Sequence, residues 1–289
     1  MKTFKSVLLV LTISLGALLQ GQEFKETIKK ELQFSSNGEN NILNVQNVNG
    51  GIEVEGYNGN TILVEVRKTI KAKRQEYVDE GRQEIGISVE NQGDQIYVYL
   101  DSPWTYFDSE KGRFSHREQY NNNDRPKYRY HLDFTIRVPF NTGLSLGTMN
   151  DGDILVKDVQ GSLMNVNNLN GGIDLENIAG TTDVNALNRD INITYQSNPT
   201  EDCYYNSLNG DITVVFKDNL NADVSFKSMN GDLYTNYDTV TLKPEVVQKE
   251  IKGKKGIKYK IDSKESFRIG NGGIKLDFNL LNGDALVKK

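Results

Sequence analysis

The chain has 289 residues, 37% hydrophobic and 25% charged, with a formal net charge of −5, which leaves room for one or two domains with a sizeable core. Thirty-two asparagines and 26 glycines against five prolines disfavour long helices and favour turns, so an all-β protein is expected. Two histidines, one cysteine and one tryptophan exclude a Cys/His zinc cluster and a disulfide framework, and leave few base-activated nucleophiles.

At the N-terminus Lys2 and Lys5 precede an apolar run over residues 7–19. The run is short for a membrane span, so residues 1–21 read as a secretory signal cut near Gly21 and Gln22. Removing it leaves 32 basic and 39 acidic residues, a formal charge of −7, which argues against nucleic acid or anionic lipid as the main partner. No later stretch reads as a transmembrane helix. The expected organisation is a signal peptide (1–21), an N-terminal β region (22–140) and a repeat region (141–289).

Residues 41–60 hold the first copy of a phrase that returns further on. Residues 61–68 then read as a strand, 71–80 as a short polar helix, and 85–89 as a resumed alternation. Ile96, Val98 and Leu100 share one face, as do Tyr128, Tyr130, Leu132, Phe134, Ile136 and Val138; these two runs are expected to pair antiparallel across a long connection. That connection, residues 102–127, departs from the scaffold pattern. It carries Trp104, Tyr106, Phe107, Phe114 and Tyr120 beside Arg113, His116, Arg117 and Arg125. Aromatic rings with basic neighbours suit contact with a sugar or a protein, and the same rings suit a lid over a sheet edge. The candidate binding residues are Trp104, Tyr106, Phe107, Arg117 and Tyr120.

The phrase reads VNGGIEV from Val48, MNDGDILV from Met149, LNGGIDL from Leu169, LNRDINI from Leu187, LNGDITV from Leu208, MNGDLYT from Met229 and LNGDALV from Leu281. Asn150, Asn170, Asn188, Asn209 and Asn230 recur at intervals of 20, 18, 21 and 21 residues. Aligned on this asparagine, the chain is mainly apolar six, four and one positions before it and three and five positions after it. The second copy fits once Asp151 is taken as an inserted residue. Spacing of two marks strands, and the break at Asn-Gly marks a corner.

Each unit of about 20 residues therefore supplies two strands and two corners, and units stacked about 4.8 Å apart form a parallel β-solenoid or β-roll. A chain of antiparallel hairpins is the alternative, because Asn-Gly is also a hairpin turn. On the solenoid reading Leu169, Leu187, Leu208 and Met229 form one buried ladder, and Ile173, Ile191, Ile212 and Leu233 form another. Near the C-terminus residues 247–251 and 257–261 read as a hairpin; with the other flanking strands it caps the solenoid ends.

The L-N-G-D-I phrase, the stretch FTIRVPFNTGLSLGTMNDGDILV from Phe134 and the closing LNGDALVKK resemble secreted β-strand-repeat proteins of the DUF4097 family, whose members carry the label adhesin. The resemblance covers most of the mature chain and implies a bacterial surface or periplasmic β-solenoid. Its motif consists of core and turn residues, so it transfers no catalytic or ligand-contacting position.

Cys203 falls in an apolar column and reads as a core residue rather than a reactive thiol. The aspartates that recur beside the corners, among them Asp153, Asp190 and Asp211, read as turn caps in preference to calcium ligands. His131 lies on the strand face of Arg129, Asp133 and Arg137, a solvated face rather than a metal site. No cofactor, metal or catalytic constellation is expected. The leading reading is an exported, non-enzymatic β-repeat protein for surface interaction or adhesion. Its partner is a protein or glycan of the cell envelope, and it resides in the periplasm, on the outer surface or outside the cell. The alternatives are a periplasmic envelope-stress or regulatory accessory protein and, last, a polysaccharide-active enzyme.

Overall fold

The structure, a computed structural model, describes residues 22–35, 38, 40–108, 113–116, 126–243, 246–250, 257–261 and 265–289. The proposed signal, residues 1–21, lies outside them. Inward and outward side chains alternate along most repeat strands, and the protein is an all-β, solenoid-like stack of two long, mostly parallel sheets.

The half of each repeat before the corner enters one sheet. There Ile42–Gln46, Gly143–Thr148, Leu163–Asn168, Thr181–Ala186 and Cys203–Asn209 lie side by side. The half after the corner enters the other sheet as Ile52–Tyr57, Ile154–Lys157, Ile173–Ile178, Ile191–Tyr195 and Ile212–Val215. The registers superpose the columns. Leu43, Leu144, Met164 and Thr182 are successive Cα partners, as are Ile52, Ile154, Ile173, Ile191 and Ile212. Ile154 lies opposite both Ile52 and Ile173, and Asp151 has a φ of 57°; the inserted residue is accommodated as a left-handed kink, which aspartate tolerates.

The facing columns form one continuous core between the sheets. Part of it is aromatic: Tyr205 stacks on Phe278 with ring centroids 4.6 Å apart, and Tyr195 stacks on Phe216 at 4.9 Å. Cys203 is buried beside them. The corners bring neighbouring backbones very close together. A Cβ at Gly50, whose φ is 122°, would lie 2.1 Å from the Leu132 carbonyl oxygen, so only glycine fits there.

The stacking departs from chain order at one place. The closing repeat, with strands Ile274–Asn282 and Ala285–Lys288, does not follow Ala222–Lys227 and Leu233–Thr235 outward. It is inserted between them and the preceding unit, so Leu276 pairs with both Cys203 and Val224. The hydrophobic period is the same for either arrangement, because adjacent coils present identical columns. The strand Glu265–Ile269 then pairs antiparallel with Ala222–Lys227 and with Thr239–Thr241, covering that end of one sheet. The C-terminal hairpin forms between Val246–Glu250 and Ile257–Ile261, as expected.

The antiparallel pairing expected between residues 96–100 and 128–138 is not found. Gln95–Asp101 continues one sheet beside Ile42–Gln46, and Tyr128–Pro139 continues the other beside Ile52–Tyr57, both parallel. Their antiparallel partners are Gly86–Gln92 and Ile62–Ala72. Each run has an apolar inner face, so the two complete a further coil across the core instead of pairing edge to edge.

The strand expected over residues 61–68 extends to Ala72, and the helix begins later than expected, at Gln75–Glu84. Val66 and Ile70 keep facing the core, which carries the strand onward. Lys68 lies on that same inner face and is buried. Its ammonium donates to the Arg82 carbonyl at 2.9 Å and lies 3.5 Å from Glu26, while burial holds its pKa below the usual lysine value. The helix buries Val78 and Gly81 and so covers this end of the stack. Outside it, the edge strand Gln22–Leu32 is rich in Lys and Glu, which opposes pairing with another chain.

Candidate functional site

The corner residues separate into three columns with different roles. The recurring phrase's asparagine forms a largely exposed amide ladder from Asn49 to Asn230. Asn150 donates to Asn49, Asn170 to Asn150, Asn188 to Asn170, Asn209 to Asn188, Asn282 to Asn209 and Asn230 to Asn282, all at 2.7–3.1 Å. Two positions later, or three in the copy with the inserted Asp151, Asp190, Asp211, Asp284 and Asp153 each accept a backbone N–H from the adjacent coil, at 2.8–2.9 Å. These aspartates act as turn caps, each bridging one coil to its neighbour. Among the described residues no group of three or more His, Cys, Asp or Glu is placed to hold a metal ion.

The ladder expected from Leu169, Leu187, Leu208 and Met229 is not buried. Leu208 is 36% exposed and Met229 75%, while Leu169 and Leu187 are half-buried. Alternation does not pause at the corner, so the inward positions are six, four and two before the asparagine. The last of these is filled by small or hydrogen-bonding residues, including Asn47, Thr148, Asn168, Ala186 and Ser207, all buried. All but Ala186 satisfy carbonyls that the corner turns inward. Asn47 Nδ2 donates to the Gly50 and Leu132 carbonyls at 3.1 and 2.8 Å, Asn168 Nδ2 to those of Gly152 and Gly172 at 3.1 and 3.0 Å, and Ser207 Oγ to that of Gly210 at 2.9 Å. With this column inside, the aliphatic residue that follows must point outward.

The outward column forms the side of an open groove of about 910 Å³. Val48, Met149, Leu169, Leu187, Leu208, Leu281 and Met229 line it, and beside them, two residues earlier on the same strands, runs a column of amides that includes Asn167, Asn185, Asn206 and Asn279. Most of these amides already have partners: Asn206 donates to Asn185 at 2.8 Å, Asn185 to Asp183 at 3.1 Å and Asn167 to Asn165 at 2.7 Å. At one end the groove is bounded by Leu100 and by Thr105 and Ser115 of a hairpin formed by Thr105–Asp108 and Arg113–His116. At the other end stands Lys227, the only charged residue among the described lining residues.

The candidate binding residues of segment 102–127 do not form one cluster among the described residues. Trp104 is half-buried, with its ring 5.9 Å from that of Tyr130, whose phenol pKa burial pushes up to about 12. Thr105 is buried, its hydroxyl 2.9 Å from that of Ser102 and donating to the Leu100 carbonyl at 3.2 Å. These contacts anchor the base of the hairpin on the stack. Tyr106, at 41% exposure, projects into solvent. Phe107 lies in the hairpin, opposite Phe114; its side chain, together with Arg117 and Tyr120, lies outside the described residues. His131 bonds Asp133 at 2.8 Å on a partly solvated sheet face. The groove was missed in the sequence because its wall was assigned to the core. The mostly small or polar column two residues before the corner asparagine, interrupted by Leu280 in the closing repeat, is the signal that places it outside.

Residues 144–275 match Toastrack DUF4097, which bears out the family resemblance over that stretch. Two solved structures are similar across most of the chain. One is a putative cell adhesion protein from Clostridium sporogenes ATCC 15579, 10% identical, covering 93% of this chain and 99% of that one, with a TM-score of 0.42. The other is a putative adhesin from Bacteroides fragilis NCTC 9343, 10% identical, covering 91% and 96%, with a TM-score of 0.35. No curated protein matches the chain. No helix among the described residues is long and apolar enough to cross a membrane.

Proposed function

We propose that the chain is an exported, non-enzymatic β-repeat protein that acts by surface interaction at the cell envelope, with the corner groove as its contact surface. The observation that carries this reading is the exposed aliphatic column, repeated once per coil along a stack whose every corner is tied to the next. An apolar stripe of this length, rimmed by amides, is characteristic of an interaction surface. The frame is rigid enough to present it without rearrangement, since amide, aspartate and backbone ladders all run along the same axis. Export in this reading is supported by the Lys-flanked apolar run within residues 1–21, read as a secretory signal, and the exposed Tyr106 on its anchored hairpin extends the contact surface beyond the groove.

The test is retention of the purified mature chain on intact cells of the source organism and on its isolated envelope fractions. Leu208→Gln combined with Leu281→Gln should lower retention at least about tenfold while leaving the melting temperature within a few degrees, because both side chains face solvent. Retention equal to the unaltered chain would remove the groove as the contact surface.

A further inference from the structure

We propose that the groove is a binding site for a single free long-chain fatty acid, its alkyl chain laid along the aliphatic column and its carboxylate at Lys227. The inference rests on the groove being the contact surface and names the ligand class that surface takes. The described lining is unsuited to a sugar, because no aromatic ring stands among its described residues to cover a pyranose face. It is equally unsuited to an extended peptide lying along the axis. Coils repeat every ~4.8 Å whereas a strand advances ~3.3 Å per residue, so the side chains of such a peptide would not keep step with the column.

An alkyl chain has no polar groups that need a register. It is also compatible with the neighbouring column of amides, most of which already have hydrogen-bond partners. From the coil of Val48 to that of Met229 the groove crosses six coil steps, roughly 29 Å at the usual strand spacing. One acyl chain spans about half of a ~30 Å hydrocarbon core, so a fully extended chain fits within the groove. Thr105 and Ser115 close the far end of the groove, beyond the reach of one acyl chain, and Lys227 supplies one cation at the near end, with no ion-pair partner among the described residues. A mature charge of −7 opposes docking on an anionic membrane. A lone carboxylate meeting one lysine is compatible with that charge, which selects the free fatty acid over a lipid surface.

The experiment titrates the purified mature chain with hexadecanoate below its micellar concentration, by calorimetry, alongside dodecanoate, hexadecan-1-ol and neutral phosphatidylcholine vesicles. The expected result is saturable binding of one hexadecanoate per chain, with dodecanoate at least about tenfold weaker for its four missing methylenes. Lys227→Gln should weaken hexadecanoate about two- to fivefold, the worth of an exposed ion pair, and leave hexadecan-1-ol unchanged. Leu208→Gln with Leu281→Gln should weaken both ligands at least about tenfold. Met229→Gln, at a 75% exposed site where folding is safe, should weaken both about two- to threefold. Absence of saturable binding, indifference to chain length or to the column variants, or binding to vesicles in preference to hexadecanoate would each overturn the assignment. If hexadecanoate fails while the Leu208/Leu281 variant still loses cell retention, the ligand is wrong and the contact surface stands. If hexadecanoate binds as described while cell retention is unaffected, the acyl site stands without the adhesive role.

Discussion

Ile173, Ile191 and Ile212, three residues after the corner asparagine, are fully buried, whereas Met149, Leu208 and Met229, one residue before it, are 40%, 36% and 75% exposed. The two columns are equally apolar and recur with the same period, so hydrophobicity cannot distinguish them. Their difference arises from the corner. The residue two before the asparagine takes the inward position, in most coils bonding a carbonyl that the turn buries, and strand alternation then leaves the next side chain on the outside. A repeat protein therefore has two uses for an apolar column: the inner one holds the coils together, and the outer one is free for a ligand.

The largest effect should come from placing a charge in the inner column. Ile191→Asp introduces an unpaired carboxylate into the packed interior and should cost more than about 4 kcal/mol, leaving no cooperative thermal transition. Leu208→Asp, the same change in the outer column, should cost about 1 kcal/mol or less and keep the transition. Equal losses would erase the distinction between the columns.

A second, smaller effect sharpens the account of the inner side. The Tyr195 hydroxyl lies 2.6 Å from Thr182 Oγ1 and 2.9 Å from the Tyr205 hydroxyl. Tyr195→Phe leaves both buried partners short of a bond and should cost about 1–3 kcal/mol in chemical denaturation. Burial raises both phenol pKa values well above the usual value. Because the folded state holds these protons more tightly than the unfolded chain, stability is complete below the unfolded phenol pKa of about 10 and falls as pH rises above it. Absorbance titration should show both phenols silent until the protein unfolds.

At the corner itself, Asn188 donates to Asn170 at 2.7 Å and accepts from Asn209 at 3.1 Å in full contact with water. Asn188→Ala should cost only about 0.5–1.5 kcal/mol, read as a modest fall in melting temperature. Smallest of all, Met229→Gln should change stability by no more than about 0.5 kcal/mol.

The coil architecture was legible because alternation and the Asn-Gly corner both repeat, and Asp151 could be recognised as an insertion from the shift it causes at Ile154. Three features were not legible. The inward column of Asn47, Thr148, Asn168, Ala186 and Ser207 is mostly polar and looks like a turn unless its hydrogen bonds are known. The placement of Leu276 between Cys203 and Val224 leaves no trace in the period, since any coil fits against any other. Ile96 and Phe134 look like members of one hairpin because each has a single apolar face, yet they lie in opposite sheets. Of the site, Tyr106 was singled out and is exposed, while the groove wall was seen as a column and assigned to the wrong side.

The most direct test places a thiol in the outer column and uses the single native cysteine as its internal reference. Leu208→Cys adds a second thiol to a chain whose Cys203 is buried, and both are titrated with an aromatic disulfide reagent before and after denaturation. The account predicts that one thiol per chain reacts at once in the native protein and that the second reacts only on unfolding. Two silent native thiols would place Leu208 in the core and contradict it.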